Sequence, residues 1–484
     1  MHLLNEQRHT RRAFLKRSAQ LALAGTATPL AINLAALGEA AAFSATDYKA
    51  LVCVFLYGGN DYANTVVPFD DAQHALYAQL RGMGAGGALV IPKTSLGATA
   101  LAPTVALPAG IQYALAPEMA GMATLFAQGR LAVQLNVGPL VVPLTKREYQ
   151  QAALPQPPKL FSHNDQQSVW QAQGAEGSTR GWGGNIGDLA LSANADAMFT
   201  CISVTGNAVF LSGQNALQYQ CSKAGAVAVD AVRGNSWGQF LYDPAMRTAF
   251  AQLIQQPHSH VLANEYSRVM QRSMTAESKV SAATGGVQLS TPFPAGNSLA
   301  EQLQMVARLV GGRSTLGAKR QVFMVSLEGF DVHDNMVTRQ PALLKKLSEA
   351  LTAFDAALLE LGVREQVTTF TASDFGRSLT LNGDGTDHGW GGHQFVMGGA
   401  VKGSAFYGTP PPLSVGNTDA PQDQWHVGQG RLLPSTSVDQ YAATLARWFG
   451  VSDSEMLRVL PNLSHFGSAA GRPDYPVDVG FMRA

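Results

Sequence analysis

Charge is scarce in this chain. Of 484 residues only 14% are Asp, Glu, Lys or Arg, and the formal net charge is zero. No lysine- or arginine-rich stripe follows the N-terminal segment, which excludes a nucleic-acid-binding surface of the usual electrostatic kind. Cysteine is scarcer still, at three residues with no C-x-x-C pair, so a thiolate zinc site is excluded. Cys201 and Cys221 are open to two readings, a bridge permitted in an oxidising compartment or buried free thiols. Beyond residue 42 no apolar run of 18 or more residues occurs, so the remaining chain has no candidate membrane span. What is abundant is apolar residues, at 46%, with 49 Gly and 24 Pro. That mixture suits one large, loop-rich α/β domain.

The first 42 residues read as an export signal and are set apart from the fold. Arg11-Arg12 stand in "TRRAFLK", a weakly apolar run covers 19–38, and small residues follow up to Ala42. Thr26, Thr28, Pro29 and Asn33 interrupt the run, making it a poor permanent anchor. The pattern is that of a twin-arginine signal peptide, which implies the twin-arginine translocase as a partner and a periplasmic or secreted destination. Without it the chain carries 29 basic and 32 acidic residues.

Six short β-rich runs bounded by Gly, Asn or Asp are expected as strands: 51–57, 131–137, 198–204, 321–327, 366–372 and 394–399. Their continuous apolar character suits a mainly parallel sheet covered on both faces. Leu344, Leu347, Leu351, Phe354, Leu358 and Leu361 recur at intervals of three and four, one stripe of a helix that links two of those strands. Ser437 and Gln440 have capping-box spacing before a helix lined by Tyr441, Leu445 and Trp448. The stretch 214–315 reads as a helical insertion into the domain spanning 43–484.

Three of the strands deliver an acid just past their ends. These are Asp61 after 51–57, Asp331 with His333 after 321–327, and Asp374 after 366–372. A glycine-rich loop with Asp387, His388 and His393 follows the last of them. In open α/β sheets ligands bind at the carboxyl edge. So many acids at one edge raise each other's pKa unless a cation sits among them. Divalent metal ions fit this mixture of oxygen and imidazole donors, with zinc, manganese, magnesium and calcium left open. Taken singly, Asp61 or Asp374 reads equally as a turn former.

"VFLYGGNDYANTVVP", "FSHNDQQSVW", "GWGGNIGDL", "GFDVHDN", "SDFGRS" and "TDHGWGGHQFVMGGAVKG" resemble the blocks of a bacterial exported family, domain of unknown function 1501. That family is grouped with the alkaline phosphatase and sulfatase superfamily. The resemblance implies an alkaline-phosphatase-like α/β sandwich with one or two metal ions at the strand ends and a Ser, Thr or Cys nucleophile. It matches Asp61 to the first metal-binding Asp and Ser162 to the nucleophile at a helix N-terminus, where Ser162 also reads as a simple cap. It matches Asp331 to the next Asp. The His expected four residues on is Asn335, so His333 stands in. Asp374 matches, but Phe375 replaces the histidine beside it, and His388 matches the last ligand. One ion would thus use Asp331, His333 and His388. A second would use Asp61, Asp374 and Ser162, helped by Asp387 or His393, or be absent with Arg377 supplying positive charge for an anion. The implied function is a metal-dependent hydrolase of small anionic phosphate or sulfate esters, or of a glycan-like substrate. The alternative is a non-catalytic metal- or anion-binding envelope protein.

Overall fold

The computed structural model describes residues 45–82, 89–233 and 243–483. The segment expected as the export signal lies outside them. The strands form where β-branched and aromatic residues are buried on both faces. They are β1 (Lys49–Tyr57), β2 (Leu131–Gly138), β3 (Cys201–Ser203), β4 (Gln218–Ser222), β5 (Arg320–Glu328), β6 (Val367–Ser373), β7 (Arg377–Asn382), β8 (Gly385–His388), β9 (Gly392–Gly398) and β10 (Ala405–Tyr407). The main sheet runs β10-β2-β9-β6-β1-β5-β3-β4, while β7 and β8 make a separate hairpin. Pairing among these eight strands is parallel except for β9, which is antiparallel to both its neighbours, and the two-residue strand Gly225–Ala226 adds antiparallel to β4 at the edge. The fold is the mixed α/β class with a large, mainly parallel sheet.

β1 lies at the centre, and its successive side chains alternate between two cores. Ala50, Val52, Val54 and Leu56 face one layer, and Leu51, Cys53 and Phe55 face the other. On the first face pack the helices Ser298–Gly311, through Leu299, Leu303, Val306 and Val310, and Met336–Glu360, through the predicted leucine stripe. On the second pack Trp182–Ala190 and Val438–Phe449. The latter begins with the expected capping box, Ser437 and Gln440 satisfying each other's orphan groups.

Within 214–315, β4 joins the sheet edge beside β3, and helices Pro244–Ile254 and Val261–Gly285 follow. The Ser298–Gly311 helix belongs to the core. Cys53, Cys201 and Cys221 are buried free thiols. No helix among the described residues is long and apolar enough to cross a membrane.

Register fixes where the acids land. β1 pairs with β5 from Lys49↔Arg320 to Tyr57↔Glu328, and with β6 up to Leu56↔Ser373. The three carboxyl ends are therefore level. Because β9 runs the other way, its first residue, Gly392, pairs with Val137 near the end of β2. The loop that precedes β9 thus opens on the same edge.

Candidate metal centre

Two glycines explain why that loop is glycine-rich. A Cβ on Gly376 would lie 2.0 Å from the Gly391 carbonyl oxygen, and one on Gly385 would lie 2.2 Å from the His333 carbonyl carbon. Backbone meets backbone at both places, so only glycine fits. This contact sets the β7–β8 hairpin against the segment after β5, bringing His388 to His333 and Asp331.

His333 Nε2 stands 3.0 Å from His388 Nε2 and 3.0 Å from Asp331 Oδ1, and His388 Nε2 is 3.2 Å from the same oxygen. The His388 Nδ1–H donates to the Phe161 carbonyl at 2.7 Å, which leaves Nε2 of the neutral ring as a lone-pair donor facing the cluster. A third ring joins from the His163–Ala172 helix. His163 Nδ1 is 2.6 Å from Asp374 Oδ2, and its Nε2 is 3.3 Å from Asp331 Oδ2. That second contact is within ion-pair reach but outside hydrogen-bond geometry, so the buried Nε2 has no hydrogen-bond partner. One ligand atom each from His163, Asp331 and His388 lie within 4.8 Å of one another.

His163 and His388 thus have their outer nitrogens held by acceptors while their inner nitrogens converge on Asp331, an arrangement that could hold a metal ion. The hydrogen bond to Asp374 raises the His163 pKa, with burial opposing it. Burial lowers the His388 pKa, and the neighbouring His163 and Arg377 charges add to the effect. For Asp331 burial pulls upward, but the Arg377 hydrogen bond and charge hold it down at about 2.

The remaining expected site residues lie around this cluster in different roles. Asp374 is fully buried, and its Oδ2 accepts from His163, from Gln167 Nε2 (2.9 Å) and from the Gly58 N–H (3.2 Å), so it faces the outer side of a ring. Asp387 stands behind His333, at 3.6 Å from Nδ1, and accepts from Asn382 at 2.6 Å. Asp61 is turned away to a buried ion pair: Arg81 Nη2 reaches its two oxygens at 2.7 and 2.8 Å, and the Asn64 N–H adds a third bond. His393 is a core residue against Tyr62, accepting from the Asn136 N–H, and burial pushes its pKa down to about 3.

Arg377 is 1% exposed, and all three of its nitrogens are engaged inside the protein. Nη1 donates to Asp331 Oδ1 (2.7 Å) and the Gly58 carbonyl, Nε to Thr386 Oγ1, and Nη2 to the Thr386 carbonyl. It neutralises Asp331 rather than presenting itself to an incoming anion. The Phe375 ring, 4.9 Å from the His163 ring and 4.8 Å from that of His388, forms the apolar floor.

Ser162 occupies the N-cap position but makes no cap bond. Its hydroxyl donates to Asp165 Oδ2 at 2.8 Å. The preceding backbone is strained, with Lys159 at φ 39° and Phe161 at φ 70°. His163 is the functional candidate that reading by motif gave no role. The available signal was its spacing of four from Gln167 on one helix face, since both residues reach Asp374.

Comparison with family models gives a match over residues 48–461 to the family described as protein of unknown function (DUF1501). The chain belongs to the DUF1501 family. No curated protein matches it. Solved structures offer loose similarity to this DUF1501 chain. The protein Ps i-CgsB, in complex with k-i-k-neocarrahexaose, is 9% identical at TM-score 0.35, covering 86% of this chain and 74% of its own. A structure from work on a Bacteroides thetaiotaomicron locus for the metabolism of multiple glycosaminoglycans is 9% identical at TM-score 0.30, covering 84% and 74%. A mutant of the alkaline phosphatase PafA is 10% identical at TM-score 0.23, covering 69% and 64%.

Proposed function

We propose that this DUF1501 chain is an exported hydrolase of phosphate or sulfate esters that uses one divalent ion. The ion would be held by His163, Asp331 and His388, with His333 as a fourth donor. The observation that carries the reading is the His163 ring, fixed at Nδ1 by Asp374 while its buried Nε2 is left without a hydrogen bond beside Asp331 and His388. Three imidazoles and one carboxylate favour zinc, manganese or iron over magnesium or calcium. The reading takes one ion rather than two because Arg81 occupies Asp61 and Phe375 replaces a ligand. A bound ion supplies Lewis acidity toward an ester oxygen.

The chain's own residues supply the rest. Ser162 lies between Phe161 and His163, both of which contact the cluster. Its Oγ forms the bond to phosphorus or sulfur while its proton passes to Asp165 Oδ2. The ester oxygen departs with the bonding pair and takes a proton from water, and water then releases the acid from Ser162. The N–H groups at the start of the ten-residue His163–Ala172 helix, which lack intrahelical acceptors, favour the anionic group. Arg377 keeps Asp331 ionised.

The second reading is a non-catalytic metal- or anion-binding envelope protein on the same scaffold. Arg377, buried and with four of its five N–H groups engaged inside the protein, is turned away from a substrate oxygen, which favours it. Elemental analysis of the purified mature chain, followed by a panel of phospho- and sulfo-esters with and without added Mn²⁺ or Zn²⁺, separates the two. Ser162→Ala is expected to abolish turnover with metal content unchanged. It should shift stability by at most about 1 kcal/mol, because one side-chain hydrogen bond and no cap bond is lost. Metal-loaded wild type without turnover establishes the binding protein, and turnover surviving in Ser162→Ala rejects the nucleophile.

A further inference from the structure

A second cleft, of about 330 Å³, is lined by Lys146, Arg147, Gln424, Trp425 and Tyr475. Its chemistry is unusual in one respect. Lys146 is only 5% exposed, and its ammonium donates to the Asp423 carbonyl at 2.9 Å. An ammonium has three donors and a buried one calls for an anion. The nearby Asp423 carboxylate does not serve, because Ser414, the Thr418 hydroxyl and the Thr418 N–H take it. Arg147, exposed beside Lys146, adds a second positive charge. Trp425 and Tyr475 are half-buried and line the same cleft. Such rings give flat apolar faces with a polar edge. Gln424 holds its Nε2 on the Thr418 carbonyl at 3.0 Å, which leaves its Oε1 as an acceptor.

The cleft is tied to the metal centre by one short strip of chain. Leu433 donates its N–H to the Trp425 carbonyl, and the Leu432 carbonyl accepts from Gly391. Arg431 Nε reaches the His388 carbonyl at 2.7 Å, and its guanidinium lies over the Phe161 ring at 5.0 Å.

We propose that this cleft binds a negatively charged sugar ring. Trp425 and Tyr475 lie against its apolar C–H faces, Lys146 and Arg147 meet its carboxylate or sulfate, and Gln424 accepts from a hydroxyl. Flat aromatic walls beside paired cations fit an anionic saccharide better than an acidic peptide, whose extended backbone would leave the ring faces unmatched. The site is defined by residues outside the metal cluster and does not rest on the hydrolase reading.

The test is a tryptophan-fluorescence and calorimetric titration of the full mature chain with EDTA present, so that it is independent of any metal. The probes are a galacturonic acid tetrasaccharide, a sulfated galactose tetrasaccharide and the neutral galactose tetrasaccharide. At least one anionic probe should bind about tenfold or more tighter than the neutral one. High salt should narrow the gap. Which anionic probe wins identifies the carboxylate or the sulfate. Arg147→Ala, at an exposed position, should weaken binding about tenfold with unchanged thermal unfolding. Trp425→Phe, which keeps a ring at the half-buried position, should weaken it less than Trp425→Ala, each variant being checked for a cooperative unfolding transition. Absence of binding by either anionic probe, equal affinity for the neutral one, or variants that bind as wild type would each overturn the proposal.

Discussion

Replacing Asp374 by Asn removes one charge at nearly constant volume from a fully buried position. Its Oδ2 holds three donors, the shortest contact being 2.6 Å to His163 Nδ1. If Asp374 orients His163, the ring loses its strongest anchor but keeps its place as a ligand. Loss of such an outer partner costs about 10–100-fold in metal affinity, or about 1.4–2.7 kcal/mol. Proton competition must be separated from this. Asp374 raises the His163 pKa, so in wild type a proton holds the ring more tightly as pH falls. The variant binds that proton less well. The wild-type advantage should therefore be full at alkaline pH, where both rings are neutral, and shrink as pH falls through the raised pKa of the wild-type ring. Zn²⁺ and Mn²⁺ competition against a chromophoric chelator measures both, with unfolding of the metal-free proteins recorded in parallel. Unchanged affinity at high pH would refute the orienting role. A loss beyond about 1,000-fold would make Asp374 a ligand in its own right.

Other outcomes follow from groups away from the centre. Arg81→Met strands the Asp61 carboxylate in a site where both partners are buried, and is expected to cost about 3–5 kcal/mol in urea unfolding; a change below about 1 kcal/mol would mean that Asp61 finds another partner. Burial holds the Asp439 carboxyl up at about 7, with the Ser437 hydroxyl opposing, against an ordinary 3.8. The folded chain keeps that proton longer, so this stabilisation is complete below about pH 4 and is lost as pH rises through 7. Asp439→Asn lacks that slope and should gain on wild type by roughly 4 kcal/mol between pH 4 and 8. Parallel denaturation curves at the two ends of that range check it, and a constant difference would contradict the burial argument. Arg11 and Arg12 changed together to Lys should leave precursor in the cytoplasm of a strain that has only the twin-arginine route; unchanged periplasmic yield would contradict the export reading.

Strands were legible because burial on both faces leaves continuous apolar runs, and a strand lies in each of the six expected runs, though in 198–204 it is only Cys201–Ser203, after a helical turn at Ala197–Phe199. The strand-end acids were legible for the same reason, since whatever follows a parallel strand falls on one edge. Their partners were not. Arg81 reaches Asp61 from 20 residues away, across a helix whose pattern announces no cation for that acid. Asp374 and His163 are 211 residues apart, and residue type alone does not say whether a carboxylate faces a metal or the back of a ring. His393 has the chemistry of a ligand, but it is the second residue of the buried strand β9, where packing decides its direction. Arg377 reads as an anion receptor because Arg commonly is one, and only the closed hairpin reveals that four of its five donors are used internally.

Gly376 and Gly385 carry a consequence for how relatives are compared. Their side-chain-free backbones are required by the close approach of main chains, and no ligand atom takes part. A mutational scan of this loop should therefore score those glycines as harshly as His388, though they do no chemistry. The converse holds as well. A relative that has lost every imidazole of the cluster must still retain the glycines to fold the hairpin. Kinship recognised through the glycine pattern reports inherited architecture, and the histidines must be inspected one by one before any activity is transferred.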